Sequence, residues 1–297
     1  MRDVIIIGAG AAGLSAALVL ARAQRDVLVL DAGEPRNATA AHLHGFVSRD
    51  GMAPAEFLAV GRREVAGYGG VVTPAHVAEI TRSEGHFSVT TDDGSVERAR
   101  AVLVATGVKD DVVDIPGLWE RWGRTVHHCP YCHGHEVLGQ QIVVIGALKL
   151  AGLLRAYSDR ITLVVEQITA VERDRLEAFG VRVLDGMASA INDDGVTLVG
   201  GAVIPCEAVF VAPVPRANDE LLRALGCTLD SDRVRVDAAG QTSSHGVWAA
   251  GNVVTPTAQI ISAAGAASVS AIAINGWLLQ QDMDAALGAR TINRKET

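Results

Sequence analysis

The first 31 residues contain the pattern that most constrains the fold of this chain. An apolar run, Val4–Ile7, leads into the sequence Gly-Ala-Gly-Ala-Ala-Gly at positions 8–13, and a helical stretch, Leu14–Ala23, follows. A second apolar run ends in Asp31, 18 positions after the last glycine. This order of strand, glycine loop, helix and strand predicts a βαβ unit of the dinucleotide-binding type.

Each glycine of the motif has its own predicted task. Gly8 permits the tight turn after the strand, Gly10 lets a pyrophosphate approach the backbone, and Gly13 lets helix and strand pack closely. The phosphates would lie at the N-terminus of the helix, and Asp31 can accept a hydrogen bond from a ribose hydroxyl. The alternative is a Rossmann-like unit without a nucleotide, in which the glycines serve packing alone.

A second unit of this kind is predicted in the middle of the chain. The apolar run Ile142–Ile145 is followed by Gly146, and a further strand and turn, Gly246–Asn252, lie near the C-terminus. The 297 residues are enough for two domains, each with its own core. We therefore predict an α/β fold with two Rossmann-like, three-layer domains.

The chemistry of the chain is indicated by a cysteine pair, Cys129-Pro-Tyr-Cys132, followed directly by His133. Two thiols at this spacing can close into a disulfide and open again, which stores two electrons. Only four cysteines occur, and the other two stand alone, so an extracellular disulfide framework is excluded. Two rival interpretations are attachment of a c-type haem, whose pattern is C-x-x-C-H, and a zinc site that uses nearby histidines.

Composition excludes some classes of partner. The formal net charge is −8 and no basic stripe is present, so nucleic-acid binding is not expected. The chain begins without a basic leader or a long apolar run, and we expect a soluble, cytoplasmic protein. Ile260–Leu279 lies in a stretch without Asp, Glu, Lys or Arg, but its serines and glycines favour a helix buried in a globular domain over a membrane span.

Several motifs in this order resemble the low-molecular-weight thioredoxin reductases and their relatives, the flavin-dependent dithiol oxidases that close disulfides in gliotoxin- and holomycin-type metabolites. The resemblance covers nearly the whole chain. It rests on GAGAAG at 8–13, DAGEPRN at 31–37, HLHGF at 42–46, ATG at 105–107, CPYCHG at 129–134, and AAGN with TAQI within 249–260. Histidine after the second cysteine is similar to the dithiol-oxidase branch.

The resemblance implies an FAD-binding domain built from residues 1–113 and 246–297. An inserted domain of the pyridine-nucleotide type, residues 114–245, would contain the cysteine pair. It implies that the FAD pyrophosphate lies on the glycine loop, the adenosine ribose on Asp31, the ribityl chain near Asn252, and the flavin ring near Gln259 and Ile260. The full set of implied cofactor-binding residues is Gly8, Gly10, Ala11, Ala12, Gly13, Asp31, Ala32, Gly33, Arg36, Asn37, His42, Thr106, Gly107, Gly251, Asn252, Gln259 and Ile260. No metal is expected.

For the cysteines, the resemblance makes Cys132 the sulfur that faces the flavin and Cys129 the one that exchanges with substrate. His133 can move the proton between thiol and solvent near neutral pH, and His135 and Glu136 could orient it. His127 and His128 are of a kind that is more often simply exposed or satisfied, and a direct role for them stays open. The resemblance also implies a dithiol substrate and a homodimer.

The second Rossmann unit departs from the reductase pattern. Leu148 replaces the middle glycine, and Glu166 follows the next strand where a 2′-phosphate would need a basic clamp. Only 15 positions separate Gly146 from Ile161, against 19 from Gly8 to Val27, so about one helical turn is missing. We predict that NADPH binds weakly or not at all, unless another register of the loop restores the site.

These observations favour a dithiol oxidase that passes electrons from a substrate dithiol through Cys129 and Cys132 to FAD and then to molecular oxygen. The alternatives are a thioredoxin reductase that uses NADPH or another donor, and a non-catalytic flavin redox sensor.

Overall fold

The structure is a computed structural model that describes the backbone of residues 1–293 and the side chains up to Ala289. The chain forms two compact units. Unit 1 consists of Met1–Ala38, Pro54–Lys109 and the residues from Arg216 onward, and unit 2 consists of Thr39–Ala53 and Asp110–Pro215.

The N-terminal part of unit 1 follows the predicted βαβ order. Its elements are β1 (Arg2–Ile7), α1 (Ala11–Arg22), β2 (Val27–Asp31), α2 (Pro54–Gly67), β3 (Val71–Pro74), β4 (Val77–Ser83), β5 (His86–Thr91) and β6 (Val96–Val104). They form a sheet in the order β3-β2-β1-β6-β5-β4, in which β3, β2, β1 and β6 run parallel and the β4–β5–β6 meander is antiparallel.

The chain leaves unit 1 through β7 (Val108–Asp111), and unit 2 has its own parallel sheet. Its elements are α3 (Leu118–Arg121), β8 (Val126–His127), α4 (Pro130–His133), β9 (Ile142–Ile145), α5 (Leu148–Leu154), β10 (Ile161–Val165), α6 (Ala170–Ala178), β11 (Arg182–Asp185), β12 (Ala188–Asn192), β13 (Gly195–Leu198), β14 (Val203–Ile204) and β15 (Ala208–Val211). The main sheet has the order β11-β10-β9-β15-β8, and β12, β13 and β14 form a separate antiparallel sheet.

The chain returns to unit 1 through β16 (Val214–Ala217). The remaining elements are α7 (Glu220–Ala224), β17 (Leu229–Asp230), β18 (Arg233–Val234), β19 (Val247–Ala249), a short 3-10 turn over Gly251–Val253, and α8 (Ile260–Asn293). Strand β19 joins the main sheet of unit 1 parallel to the second half of β6.

Both faces of the unit 1 sheet are covered. Val4 and Ile6 of β1 point into a core that they share with α1 and α8, and Ile5 and Ile7 point into a core on the opposite face. In unit 2, Val144 and Val143 of β9 divide in the same way between two cores. The predicted fold class, α/β with two Rossmann-like three-layer domains, is confirmed.

The predicted domain boundaries differ from the observed units at two places. Residues 216–245 were assigned to the inserted domain, but Leu222, Cys227 and Val234 lie in a core of unit 1. Residues 39–53 were assigned to the FAD domain, but they group with unit 2, where Gly123 approaches Thr39 so closely that an added Cβ would lie 2.7 Å from the Thr39 hydroxyl oxygen.

The C-terminal helix α8 has 34 residues. By length and composition alone, its segment Ile260–Ala289 is long and apolar enough to cross a membrane, but a core helix passes the same test. One face, including Ala267 and Ala271, lies fully buried in the core of unit 1, whereas Ile272 and Leu287 are exposed. The helix is thus buried on one side, where small residues allow close packing against α1.

Candidate active-site residues in the two units

In the glycine loop of unit 1, two glycines are required by close packing and one faces open space. A Cβ added to Gly8, whose φ is +99°, would lie 2.5 Å from the carbonyl oxygen of Ala105, and one added to Gly13 would lie 1.8 Å from that of Gly8. A Cβ on Gly10 would meet nothing within 4 Å. The chain itself therefore requires Gly8 and Gly13, while the space over Gly10 is free for a ligand.

The same space lies at the start of α1, a helix of 12 residues. Gly10 is the N-cap and provides no side-chain hydrogen bond, and the first turn contains no acidic residue. The N–H groups of Ala11, Ala12 and Gly13 precede the first intrahelical bonds, so they are available to an anion. This arrangement fits the pyrophosphate of a dinucleotide.

The Asp31 carboxylate, at the end of β2, is tied to the glycine loop. Its Oδ1 accepts a hydrogen bond of 2.9 Å from the Ala9 N–H, and its Oδ2 forms an ion pair of 2.7 Å with Arg62. Nothing in the sequence indicates Arg62 as a partner, because it lies on α2, 31 positions away, and only helix packing brings it to the carboxylate. Ala32 and Gly33 follow in the exposed loop.

Other predicted cofactor residues meet at the carboxyl ends of parallel strands, where α/β sheets bind ligands. Ala105, which precedes Thr106 and Gly107, lies against Gly8 of the glycine loop. Gly251 follows β19 and lies against α1: a Cβ added to it would be 2.8 Å from the Cβ of Ala12.

Asn252 has a role that its sequence position did not reveal. Its side-chain NH2 group donates to the carbonyl oxygens of Thr255, Pro256 and Ala258 at 3.2, 3.1 and 2.9 Å. Arg36 also donates to the Pro256 carbonyl, at 3.1 Å. These bonds fix the loop before α8 and so position Gln259 and Ile260. They leave the Asn252 amide oxygen, but not its N–H, for a ligand.

Two implied cofactor residues lie in less defined surroundings. Asn37 is half-buried in the segment after β2. His42 is exposed, belongs to unit 2, and contacts the Gly51 carbonyl oxygen through Nδ1 at 3.0 Å.

In unit 2 the cysteine pair is built on a single helical turn. Cys129 is the N-cap of α4 and Pro130 occupies its first position, where a missing N–H costs nothing. Cys129 and Cys132 are joined in a disulfide with their Cα atoms 5.3 Å apart, within the normal range. Cys129 is buried and Cys132 is half-buried, although the resemblance assigns substrate exchange to Cys129.

Gly134 explains the glycine of the CPYCHG motif. A Cβ there would lie 2.4 Å from the Pro130 carbonyl oxygen and 2.8 Å from the ring of Tyr157. The absence of a side chain lets Tyr157 pack directly on the turn that contains the disulfide.

Two histidines beside the disulfide stack on each other. The rings of His127, on β8, and His133, at the end of α4, have centroids 4.3 Å apart and planes inclined by 22°. His127 is not exposed but buried, at 6% exposure, and it is satisfied only in part: it has a hydrogen bond with the backbone of Arg124, whereas its Nδ1 has no partner among the described residues. The Nδ1 of His133 is also buried without such a partner.

Burial sets the protonation of this pair. It lowers the pKa of His127 to about 4, with further lowering by His133 and His128 and an opposing effect of a backbone hydrogen bond at Arg124. Burial also lowers the pKa of His133, against an opposing effect of Glu136 and with additional lowering by His44.

A third histidine, His44, lies between Glu136 and Asp50. Its Nε2 lies 3.1 Å from a Glu136 carboxylate oxygen and its Nδ1 lies 3.3 Å from Asp50. A hydrogen bond from the backbone N–H of Gly45 and a second one with the His44 side chain lower the pKa of Asp50 below its usual value. The HLHGF motif thus supplies a polar chain beside His133, a role that its sequence alone did not indicate.

The second Rossmann unit lacks features of the first. Its helix α5 has 7 residues where α1 has 12 and begins directly with Leu148, whose side chain packs against a core of unit 2. Glu166, after β10, is exposed, and the next basic residue, Arg173, forms ion pairs with Glu177 and Asp185.

The rival metal interpretation finds no support in this geometry. Both sulfurs of the cysteine pair are in the disulfide. Within residues 1–289, no group of three or more His, Cys, Asp or Glu side chains is arranged to hold a metal ion.

The family model for pyridine nucleotide-disulphide oxidoreductases matches residues 2–271. The chain belongs to this family. It is 31% identical over 276 residues to the thioredoxin reductase tcpT of Claviceps purpurea, covering 84% of this chain and 86% of that protein. It is 30% identical over 314 residues to the thioredoxin reductase sirT of Leptosphaeria maculans, covering 95% and 96%.

Two solved structures are similar to this chain over nearly its whole length. The crystal structure of HlmI is 43% identical, covers 98% of this chain and 97% of that chain, and has a TM-score of 0.94. The structure of an oxidoreductase from Agrobacterium tumefaciens is 35% identical, covers 94% and 98%, and has a TM-score of 0.89. The predicted resemblance is confirmed at the level of the family, and the chain is a flavin-dependent disulfide oxidoreductase.

Proposed function

We propose that this enzyme is a dithiol oxidase, which takes electrons from a substrate dithiol and does not depend on NADPH. The observation that supports this is the contrast between its two Rossmann units. Unit 1 has open space over Gly10 at the start of a 12-residue helix, whereas unit 2 has a 7-residue helix that begins with Leu148. A pyrophosphate binds against a free glycine backbone at the start of a helix, as in unit 1, and we expect it to bind poorly at the helix start of unit 2.

We assign FAD to the site in unit 1. The glycine loop would hold the pyrophosphate, Asp31 the adenosine ribose, and the Asn252 amide oxygen and the backbone at Gln259 the flavin end. When bound, FAD accepts the two electrons of the reduced cysteine pair and passes them to molecular oxygen, which gives peroxide.

The steps on the protein are thiol–disulfide exchanges. A substrate thiolate attacks one sulfur of the Cys129–Cys132 disulfide, by the resemblance that of Cys129, and Cys132 leaves as a thiolate. The second substrate thiolate attacks the mixed disulfide, which releases the oxidised substrate and the Cys129 thiolate. The substrate loses two electrons and two protons, and the cysteine pair gains the electrons. His133 accepts each of the two thiol protons in turn and passes it to solvent.

The test is an anaerobic titration of the holoenzyme followed by its flavin absorbance. We expect dithiothreitol to bleach the flavin and NADPH to leave it oxidised, and in air we expect oxygen uptake with dithiothreitol alone. Stoichiometric bleaching by NADPH would refute the proposal.

Two cysteine variants test the order of the exchanges. Cys129→Ser and Cys132→Ser should both abolish dithiol oxidation and retain FAD. When each variant is given a linear disulfide such as glutathione disulfide, only Cys132→Ser should accumulate a mixed disulfide, because its Cys129 thiolate displaces one thiolate of the probe and keeps the other half. The product is detectable as a mass increase that a reductant removes. A mass increase in Cys129→Ser alone would reverse the two roles.

The second candidate is a thioredoxin reductase, which is favoured by the names of the relatives tcpT and sirT. In that case NADPH or another donor, such as a ferredoxin, would bleach the flavin, and a protein disulfide would reoxidise it. We also propose a homodimer, which sedimentation equilibrium tests directly.

A further inference from the structure

His127 stacks on His133 and has no role in the exchange steps described above. His127 is on an edge strand, in parallel register with Phe210 of β15, and the Phe210 ring lies 5.4 Å from its ring in a tilted arrangement. The imidazole also stacks on His133, at a centroid distance of 4.3 Å. One ring in the core of unit 2 therefore connects the sheet to the last residue of the disulfide turn.

The geometry limits the pair to one positive charge. Two imidazolium ions at 4.3 Å in a buried site repel each other, and neither Nδ1 has a partner among the described residues that would compensate the charge. His127 is the more buried ring, so the proton belongs on His133. The depressed pKa of His127, about 4, agrees with this assignment.

We infer that His127 is a positioning residue for His133: its buried, uncharged ring fixes the plane of the His133 imidazole beside the disulfide and confines the exchanged proton to His133. This inference rests on the proposed function, in which His133 takes the proton of an attacking thiol.

The groups that face His133 come from three places. His127 covers it from β8, Glu136 follows it after α4 and favours its protonated form, and His44 of the 39–53 segment disfavours that form. His127 in turn faces His128 and the backbone of Arg124. Burial has the largest effect on the pKa of His133, so removal of the covering ring must change the titration of His133.

The first experiment compares the pH dependence of anaerobic flavin bleaching by dithiothreitol in three forms of the holoenzyme. In His127→Ala, water enters beside His133, and we expect the acid limb of the bleaching rate to move up by as much as about one pH unit. We expect the limiting rate to fall about tenfold because the ring is no longer held. His127→Phe retains a flat, uncharged ring, and its acid limb should stay at the wild-type position.

Phe210→Leu is the matched control, since it removes the other ring that contacts His127 and leaves the stacking on His133 in place. It should lower the unfolding midpoint without moving the acid limb. A shift as large as that of His127→Ala would overturn the inference, because general loosening of the core would then explain it. Loss of bleaching in His127→Phe with FAD still bound would also overturn it, since His127 itself would then exchange the proton.

The second experiment needs neither turnover nor a variant. NMR titration of the histidine Cε1–H signals of the oxidised wild-type protein should show His133 titrating while His127 stays neutral down to about pH 5. Titration of His127 near its ordinary pKa would overturn the inference. If no dithiol bleaches the wild-type flavin, the proposed function fails, but this titration still decides the role of His127.

Discussion

The glycine loop allows a test in which two neighbouring substitutions have opposite consequences. Gly13→Ala would place a Cβ 1.8 Å from the Gly8 carbonyl oxygen, and real Cβ contacts are essentially never under 3.0 Å, so α1 and the start of the glycine loop must separate by more than an ångström. Overpacking of this kind costs about 3 kcal/mol, from which the better helix propensity of alanine recovers about 1 kcal/mol. We expect a net loss of about 2 kcal/mol in the free energy of unfolding.

Gly10→Ala should leave the fold nearly unchanged and weaken FAD binding. The φ of Gly10 is −73°, which alanine adopts freely, and its Cβ would meet no atom within 4 Å. Loss of a good N-cap costs about 0.5–1 kcal/mol. The methyl group would occupy the space assigned to the pyrophosphate, and we expect at least about a tenfold weaker Kd for FAD, or ~1.4 kcal/mol.

The assays are urea unfolding of the apoprotein and FAD titration followed by flavin fluorescence. Gly152→Ala, at a helical glycine with free space in unit 2, is the matched control and should affect neither FAD binding nor folding adversely. If Gly10→Ala binds FAD like the wild type, the glycines serve packing alone and the assignment of the pyrophosphate to this loop is wrong.

Three further predictions concern the loop before α8, the disulfide turn and the buried histidine. Asn252→Asp removes the donor of three hydrogen bonds to backbone carbonyls, so we expect about 1–3 kcal/mol lower stability by urea unfolding; unchanged stability would show that these bonds contribute nothing. Gly134→Ala would place a Cβ 2.4 Å from the Pro130 carbonyl oxygen and 2.8 Å from the Tyr157 ring, so dithiol bleaching should fall at least about tenfold. Tyr157→Ala in a double variant removes only the second clash, so activity should recover in part; equal activity in single and double variants would contradict this role of Tyr157. His127 has a folded-state pKa of about 4 against 6.5 for the ordinary group, so its contribution to stability is fully present above pH 6.5 and is lost as the pH falls to 4, by up to about 3 kcal/mol. Urea midpoints between pH 4 and 7 should therefore fall more steeply in the wild type than in His127→Phe, and parallel curves would contradict the shift.

The elements that sequence analysis predicted well are those with a local physical cause. The glycine spacing at 8–13 requires a particular turn and a close approach of helix and strand, and the Cβ distances at Gly8 and Gly13 show both. The shortened helix after Gly146 was predicted from chain length alone, because a helix uses a fixed number of residues per turn.

The predictions that were wrong depend on contacts between distant residues. The boundary near residue 245 was misplaced because the side chains of Leu222 and Val234 enter a core of unit 1, and nothing local shows which core an apolar residue joins. Arg62 was missed as the partner of Asp31 for the same reason. The burial of His127 was not predicted, because a single histidine in a short strand has no periodicity that indicates burial.

The sequence by itself therefore determined the type of each Rossmann unit, the presence of a cysteine pair that can form a disulfide, and the family. These depend on residues at fixed, short spacing, where backbone geometry leaves few alternatives. Only the tertiary structure decided which glycine faces free space, that the N–H of Asn252 is used within its own loop, and that two imidazoles stack in the core of unit 2. The physical reason is that side-chain direction, burial and free space depend on how loops, helices and sheets pack in three dimensions, and residue spacing alone does not encode that packing.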